Sequence, residues 1–253
     1  MGCQVEVLFT PIEFRALRDR DLTHATCVVF DVLRATSTIV TALAAGASGV
    51  QPVCEIAEAI TLRHAQPEVL LAGERDGLRI GAALTGGIEF DFGNSPREFT
   101  AEKVCGKTIA ITTTNGTCAL RACAGAGKVL IASFLNLTAT AEFLRRENSE
   151  HICIVCAGTG EDAALEDTLA AGALCDALKL SDADSEIEDS ALIARGAFLE
   201  ARCDLAHAIG EARNARRLLS QAELRDDVEF CLRVDALPVV ATNDANGIIR
   251  RLT

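Results

Sequence analysis

The stretch IAITTTNGTCAL, residues Ile109 to Leu120, passes from an apolar, largely β-branched run through five hydroxyl or amide side chains and one glycine into a helix-forming segment. A buried strand that ends in small polar residues directly before a helix is typical of the strand-to-helix junctions of α/β proteins. We therefore predict that this junction belongs to a parallel sheet flanked by helices.

Similar apolar runs occur at intervals along the chain, near Val5, Val28, Val50, Leu70, Leu130 and Ile154. Segments with helical patterning, such as Ser37 to Ala47 and Asn115 to Ala124, separate them. This alternation is the βαβ pattern of a doubly wound α/β sheet. After Leu165 the sequence becomes mostly helical, apart from an acidic loop predicted over Ser181 to Ser190.

The composition is that of a folded, acidic protein. A hydrophobic content of 49% and a mean hydropathy of +0.25 exclude disorder. At 253 residues we predict one α/β domain over residues 1–253, or two intimate lobes with a boundary near residue 160. The net charge of -12 argues against a nucleic-acid partner or an anionic membrane surface.

We expect a cytoplasmic location, because the sequence shows neither an export signal nor an apolar run of membrane-spanning length. Eleven cysteines with irregular spacing then favour reduced thiols over a disulfide framework. Cys153 and Cys156 form a CxxC motif in a predicted strand, where residues three apart point to opposite faces, so we predict a structural role for both. Apolar faces of the Ala-rich helical half could support a homodimer.

Polar residues follow several of the predicted strands. Asp31 follows one apolar run, Glu74 and Arg75 follow another, and the polar cluster that ends at Thr117 follows a third. In an open parallel sheet the carboxyl ends of the strands line one edge, and ligands bind there. We therefore expect these side chains to meet in one site.

The polar cluster itself has two interpretations. Thr113, Thr114, Asn115 and Gly116 could bind an anion, most plausibly phosphate, through hydroxyl groups and the free amides of the new helix. The alternative is that Thr114 or Asn115 only caps the helix. A cap requires one such residue, so the excess of polar side chains favours the anion site.

The stretch VVFDVLRATST offers a carboxylate and an arginine at another strand end. Asp31 suits a Mg²⁺ ligand or a nucleophile, and Arg34 offers a planar fork for phosphate or carboxylate. Thr36 and its neighbours could cap the next helix. The alternative is a structural Asp–Arg pair, but further arginines near Glu74 favour a site for a metal-bridged anion.

Glu166 and Asp167 stand together at the start of a predicted helix, where the helix dipole alone favours acidic residues. Beside Asp31 they could complete an oxygen shell for Mg²⁺, and Glu161 and Asp162 are rival candidates. The segment from Gly77 to Thr100 fits neither helical nor strand periodicity, and we predict a long ordered loop there.

Several motifs are missing from the sequence. It has no GxxxxGK[ST] loop, no GxGxxG fingerprint and no GxSxG elbow. No cysteine is followed by an arginine six positions later, so the loop of cysteine-dependent phosphatases is absent. The four histidines lie outside the polar stretches, which argues against a zinc site or phosphoryl transfer through histidine.

With these motifs in hand, the sequence resembles the 2-phosphosulfolactate phosphatase family. The resemblance rests on DVLRATSTI from Asp31, AGERDGLRI from Ala72, FDFGNSP from Phe90, GKTIAITTTNGT from Gly106 and CAGTGEDAALEDTLAAG from Cys156, in that order, and more loosely on the tail from Asp235. It implies a three-layer α/β/α fold with a mixed sheet. It also implies Mg²⁺-dependent hydrolysis of 2-phospho-3-sulfolactate to sulfolactate and phosphate, a step of coenzyme M biosynthesis.

The expected site combines the resemblance with the polar stretches. The predicted catalytic residues are Asp31, Arg34, Glu74 and Arg75. The predicted metal ligands are Asp31, Glu166 and Asp167, and the predicted substrate-binding residues are Thr36, Asn94, Ser95, Thr113, Thr114, Asn115 and Gly116. The expected ligand is a small anion that carries phosphate, sulfonate and carboxylate groups.

The role of Asp31 and the class of protein remain open from sequence. Haloacid dehalogenase phosphatases place a second Asp two residues after the nucleophile, and here that position is Leu33, which favours Asp31 as a metal ligand or water-orienting base. The first rival is a sugar-nucleotide or dinucleotide-binding enzyme, against which the missing glycine fingerprint counts. The second is a non-catalytic anion-binding or regulatory protein, which would have no need for clustered carboxylates.

Overall fold

The computed structural model describes residues 3–179 and 185–252. Within these ranges the strands are β1 (Cys3–Leu8), β2 (Ala25–Phe30), β3 (Gly49–Pro52), β4 (Leu70–Arg75), β5 (Leu78–Arg79), β6 (Thr108–Thr112), β7 (Lys128–Ala132), β8 (His151–Cys156), β9 (Ser185–Ile187), β10 (Ala241–Asn243) and β11 (Ile249–Arg251). The helices are α1 (Pro11–Arg15), α2 (Ala35–Ala44), α3 (Ile56–Ala65), α4 (Ala82–Thr85), α5 (Ala101–Val104), α6 (Gly116–Ala122), α7 (Leu137–Glu147), α8 (Leu165–Leu178), α9 (Asp189–Ala201), α10 (Leu205–Gly210), α11 (Arg213–Leu219) and α12 (Arg225–Cys231).

The strands form one mixed sheet in the order β5-β4-β6-β3-β11-β10-β7-β2-β8-β1-β9. Strands β4, β6 and β3 pair in parallel, and so do β7, β2, β8, β1 and β9. The hairpin β10–β11 lies between the two groups and pairs antiparallel with each of them. The predictions of a mostly parallel mixed sheet and of a helix-rich C-terminal half are confirmed.

The central hairpin makes the two parallel groups run in opposite senses, because each antiparallel pairing reverses the strand direction. In a flat sheet the carboxyl ends of β2 and β6 would therefore lie on opposite edges. Strand twist of about 20–25° per pairing accumulates between them, so the sheet curls and these ends approach each other. Gly116, four residues after β6, accordingly packs against Asp31, directly after β2.

Helices cover both faces of the sheet and complete the three layers. Helix α2 lies on one face, where Ile39 and Val40 share one apolar core with strand residues of both groups, such as Val29 and Ile111. Helices α7, α8 and α9 pack on the other face, over β1, β2, β7 and β8. The curled sheet thus fixes the start of α2, and with it Asp31, relative to the loop after β6.

Strand β8 shows the two-residue alternation expected from the sequence. Cys153 lies in the apolar core on the α2 side, whereas Cys156 lies in the core beneath α8. Both side chains are fully buried. The prediction that these two cysteines point to opposite faces is confirmed.

Two segments differ from the prediction. The region expected to be a loop from Gly77 to Thr100 contains β5, α4 and a 3₁₀ turn at Pro96–Glu98. Asp76 and Gly77 have φ angles of 56° and 81°, which form a two-residue hairpin turn between β4 and β5, and the Asp-Gly pair was its sequence signal.

The acidic loop predicted over Ser181 to Ser190 is wrong in its second half, where Ser185–Ile187 extends the sheet edge beside β1 and α9 begins at Asp189. Residues 181–184 of that loop lie outside the described residues. Throughout residues 3–179 and 185–252, every helix is too short or too polar to span a bilayer.

Candidate active site

A cavity of about 550 Å³, counting its open mouth, lies where the ends of β2, β4, β6 and β8 meet. Its lining includes seven residues proposed from the sequence: Asp31, Arg34, Glu74, Asn94, Thr113, Thr114 and Asn115. Residues from distant stretches therefore converge on one site. The convergence follows from the curl of the sheet and not from a single parallel edge.

Asp31 is held rigidly at the end of β2. Its backbone amide donates to the Thr36 hydroxyl at 3.0 Å, and its carbonyl accepts from that hydroxyl at 2.9 Å. Its Oδ1 atom accepts from the Ala35 amide at 3.1 Å. Thr36 is fully buried and lies outside the cavity lining, so it positions Asp31 and does not face the cavity.

The electrostatic surroundings of Asp31 disfavour its charged form. Desolvation, followed by the neighbouring carboxylates Glu74 and Glu166, raises the pKa of Asp31 to about 7, although the Ala35 amide and Arg34 act in the opposite direction. A pKa near neutrality is a property of functional carboxyl groups more often than of structural ones. The carboxyl group nevertheless reaches the cavity, because Asp31 is partly exposed.

Gly116 explains why the polar stretch contains a glycine. A β-carbon at this position would lie 2.5 Å from Asp31 Oδ2 and 2.7 Å from the Ala35 β-carbon. Any other residue would push α6 away from the carboxyl group. The glycine therefore serves the close approach of two chain segments.

Glu74 is oriented by the loop after β6 and by the hairpin turn. Its Oε1 atom accepts from both the amide and the hydroxyl of Thr114, each at 2.9 Å. Its Oε2 atom accepts from the Gly77 amide at 2.7 Å. The sequence predicted that Thr114 binds an anionic ligand. In the structure its amide and hydroxyl groups instead donate to Glu74.

Thr114→Val tests whether this contact matters for the site. Hydrogen bonds to charged groups contribute roughly 1.5–3 kcal/mol, so we expect a loss of about tenfold in kcat/KM for phosphate release. Thr138→Val is the matched control, because the Thr138 amide and hydroxyl also donate to one carboxylate, Asp235, away from the cavity. Equal kinetics in both variants would show that the orientation of Glu74 is unimportant.

Arg34 is buried and forms an ion pair with Asp227 of α12, with 2.7 Å between Nη1 and Oδ2. Its Nη2 atom donates to the Gly77 carbonyl at 2.8 Å. Ser95 completes this cluster by donating its hydroxyl to Asp227 Oδ1 at 2.6 Å. The Arg34 charge is thus compensated from within the protein, and Ser95 acts behind the cavity wall.

Asp167 links two loops that border the cavity. Its Oδ1 atom accepts from the Val32 amide at 2.8 Å, and its Oδ2 atom accepts from the Gly158 amide at 3.1 Å. Burial, followed by the charges of Glu166 and Asp31, holds the pKa of Asp167 well above its usual range. Burial also raises the pKa of Glu166, whose Oε1 atom accepts from Asn214 at 2.7 Å.

Comparison with known proteins identifies the family of the chain. A profile of the 2-phosphosulpholactate phosphatase family matches residues 13–246. The chain belongs to this family. A protein of Caldanaerobacter subterraneus named "Probable 2-phosphosulfolactate phosphatase" is 39% identical over 239 residues, which cover 94% of this chain and 95% of the relative. A protein of the same name from Thermotoga petrophila is 43% identical over 223 residues, covering 88% and 90%.

Membership in the 2-phosphosulfolactate phosphatase family makes the chain an enzyme of the phosphoric monoester hydrolase class. The sequence-based family assignment is thereby confirmed.

The predicted metal ligands do not form a closed metal site. Among the described residues, no group of three His, Cys, Asp or Glu side chains is arranged to hold a metal ion. Only Asp31 of the three predicted ligands lines the cavity, whereas Glu166 and Asp167 are almost completely buried. Mg²⁺, however, commonly uses one or two carboxylates and completes its shell with water and substrate oxygens.

Asn94 supports the fit of such a cation. Its Oδ1 atom is buried and has no hydrogen-bond partner in the part of the chain that the structure describes, yet the residue lines the cavity. An amide oxygen and a carboxylate in one cavity are hard oxygen ligands of the kind that Mg²⁺ takes. Burial disfavours the ionised forms of Glu166 and Asp167 behind Asp31, and a cation at Asp31 would favour those ionised forms.

Arg75, predicted as catalytic, lies outside the cavity lining. Its guanidinium donates to the carbonyl groups of Glu74 and Cys54, at 2.7 Å and 3.3 Å, and to the Thr112 hydroxyl at 3.1 Å. These contacts join the ends of β3, β4 and β6. Its position indicates a structural link between strands.

The structure adds residues that sequence reasoning missed: Asp76, Asn214 and Arg217 in the cavity lining, and Asp227 behind it. Asn214 donates to the Thr159 hydroxyl at 2.6 Å as well as to Glu166. Arg217 is exposed on α11 and makes no ion pair within residues 3–179 and 185–252. The arginine-rich run from Arg213 to Arg217 within α11 is a sequence signal that could have indicated a contribution of this helix to an anion-binding site.

Proposed function

We propose that the enzyme is a Mg²⁺-dependent phosphatase that hydrolyses 2-phospho-3-sulfolactate, or a closely related 2-phospho-hydroxyacid, to the hydroxyacid and phosphate. The observation that carries the proposal is the position of Asp31 at the wall of a polar cavity, where Thr36 holds its backbone and the Ala35 amide donates to its carboxyl group. The names of the relatives support the substrate class.

An anionic substrate needs positive charge in this cavity, because Asp31, Glu74 and Asp76 all line it. Arg34 is neutralised by Asp227, which leaves Arg217 as the guanidinium available to the substrate. One guanidinium does not offset the carboxyl groups of the cavity and an anionic substrate, so we expect a cation to bind there in addition to Arg217. Mg²⁺ would offset the charge of the phosphate group and polarise its bond to the leaving oxygen.

Asp31 and Asn94 Oδ1 would hold this ion, with water and phosphate oxygens as the remaining ligands. Asp167 would fix the loops that carry Asp31 and Gly158. Glu74, oriented by Thr114, would face the substrate side of the cavity. The chain thus contributes binding, orientation and a carboxyl group at the site of attack.

Asp31 could act as a metal ligand or as the base that orients the attacking water. Titration of Mg²⁺ against turnover separates the two roles in Asp31→Glu, which keeps the charge. A raised Mg²⁺ requirement would identify a ligand. An unchanged Mg²⁺ requirement with lower kcat would identify the base.

The proposal is tested by phosphate release from racemic 2-phosphosulfolactate and from 2-phospholactate, with Mg²⁺ and with EDTA. We expect release that requires Mg²⁺ and that is faster with the sulfonated substrate. Phosphate release that is unaffected by EDTA would contradict the proposed Mg²⁺ dependence. If the folded protein released phosphate from neither 2-phospho-acid, the proposed phosphatase activity would be contradicted.

Arg217→Ala should raise the KM for 2-phosphosulfolactate by about tenfold, equivalent to about 1.4 kcal/mol, with a smaller change in kcat. The reason is that the variant removes the uncompensated guanidinium of the cavity. We expect a smaller rise in KM for 2-phospholactate, which lacks the sulfonate charge. Arg216→Ala is the control, since Arg216 lies on the same helix but contacts Glu211. Equal KM values for both variants would argue against this role.

A further inference from the structure

Two cysteines meet beside the active site although the chain contains no disulfide. The Sγ atoms of Cys54 and Cys118 lie 3.8 Å apart. Cys54 follows β3 and is half-buried, and Cys118 lies in the first turn of α6 and is exposed. A disulfide requires about 2.05 Å between the sulfur atoms, so a modest movement of α6 would allow the bond to form.

The chemical surroundings differ between the two thiols. The Cys118 thiol donates to the Cys54 sulfur, with 3.8 Å between the two Sγ atoms, so the Cys54 sulfur is the acceptor of the pair. Desolvation and the proximity of Cys54 raise the pKa of Cys118 to about 11. Cys54 is therefore the attacking sulfur, and Cys118 the thiol that resolves its oxidised form.

Other neighbouring thiols lack access to an oxidant. Cys27, Cys123 and Cys153 are also close to one another, but all three are fully buried in the core on the α2 side. Cys105 and Cys203 are exposed, and within the described residues neither has a thiol partner. The Cys54–Cys118 pair combines access with a second thiol.

The cysteine pair is connected on both sides to the Thr113–Gly116 loop, which borders the cavity. Cys118 lies two residues after Gly116, whose α-carbon packs tightly against Asp31. The Cys54 carbonyl accepts from the Thr112 hydroxyl at 3.0 Å and from Arg75 at 3.3 Å. A bond between the two sulfurs would pull α6 toward the loop after β3, and thus away from its fit against Asp31.

We propose that Cys54 and Cys118 are a peroxide-sensitive pair whose reversible disulfide displaces the Thr113–Gly116 loop and lowers turnover. The Cys54 thiolate attacks hydrogen peroxide, forming a sulfenic acid and releasing hydroxide. The Cys118 sulfur then attacks the sulfenic sulfur, its proton leaves with the hydroxyl group as water, and the disulfide forms. Two thiols and one peroxide thus give one disulfide and two waters, and a dithiol reductant reverses the oxidation.

The test begins with reduced full-length protein treated with hydrogen peroxide and mapped as non-reduced peptides. We expect one cross-linked peptide containing Cys54 and Cys118, together with altered amide hydrogen exchange over residues 113–117. Phosphate release should fall on the order of tenfold, since displacements near 1 Å can cost up to 100-fold. Dithiothreitol should restore it.

The double variant Cys54→Ser/Cys118→Ser should keep its activity after peroxide, whereas Cys105→Ser and Cys203→Ser should respond like the wild type. No cross-linked peptide, or equal inactivation of the double variant, would overturn the proposal. The effect on turnover rests on the proposed function. If reduced wild type released no phosphate, that function would fail, while peptide mapping and hydrogen exchange would still decide whether the disulfide forms and moves the loop.

Discussion

Asp31→Asn is expected to lower kcat/KM for phosphate release on the order of 10³-fold, in the middle of the range for loss of a positioned acid–base group. Asparagine keeps the shape of the side chain and an oxygen that accepts from the Ala35 amide. The variant removes the negative charge that reaches the cavity. A loss of turnover would therefore report on chemistry and not on a broken loop.

Asp31→Asn should lower activity but raise thermal stability relative to the wild type at neutral pH. The folded-state pKa of Asp31 is about 7, above its ordinary value of 3.8, so ionisation of this group opposes folding as pH rises between these values. In EDTA, the thermal stability of Asp31→Asn relative to the wild type should increase from pH 5 to pH 8. A relative stability that falls over this range would contradict the assigned environment of Asp31.

Asp21→Asn is the control for Asp31→Asn. Asp21 precedes β2, whereas Asp31 follows it, and the Asp21 carboxylate is exposed and accepts from the Thr23 amide. Both variants remove one negative charge from the ends of the same strand. Similar kinetics in the two variants would show that Asp31 has no special role.

Asp227→Ala is expected to cause the largest loss of stability. It leaves the Arg34 guanidinium buried without its carboxylate, and such a change costs about 3–5 kcal/mol. For a chain of this size, Tm should fall by roughly 10 °C, at ~2–4 °C per kcal/mol. Thermal unfolding of the purified variant measures the effect.

Two further variants make this result interpretable. Asp226→Ala removes the adjacent, exposed carboxylate that pairs with Arg97, and it should change stability by less than about 1 kcal/mol. The double variant Arg34→Met/Asp227→Leu should recover much of the loss, because it removes both buried charges. If Asp226→Ala and Asp227→Ala had the same Tm, the buried Arg34–Asp227 ion pair would not be what holds α12 against the active site.

The sequence predicted those parts of the site that lie next to strands. Asp31 and Glu74 were recognisable because a polar residue directly after an apolar run has few structural explanations. The Thr112–Thr117 stretch was recognisable for the same reason, although the structure assigns the Thr114 donors to Glu74. Local patterns were sufficient here because each residue is placed by its own strand.

The helical contributions could not be predicted in this way. Asp227 pairs with Arg34 across 193 positions, and Asn214 and Arg217 occupy ordinary positions on the short helix α11. Nothing in the local pattern of an exposed helix shows which tertiary neighbour it will meet. The hairpin β10–β11 was also missed, because its strands have only three residues each. That hairpin sets the opposite senses of the two parallel groups, and so the curl that assembles the site.

The most direct test of the central claim is a paired measurement of phosphate release from 2-phosphosulfolactate by wild type and Asp31→Asn in the same Mg²⁺ buffer. Circular dichroism of both samples would verify that each is folded. We predict steady release by the wild type and almost none by the variant. Wild-type rates in Asp31→Asn would contradict an active site at this cavity, and absence of release from both would indicate an anion-binding protein.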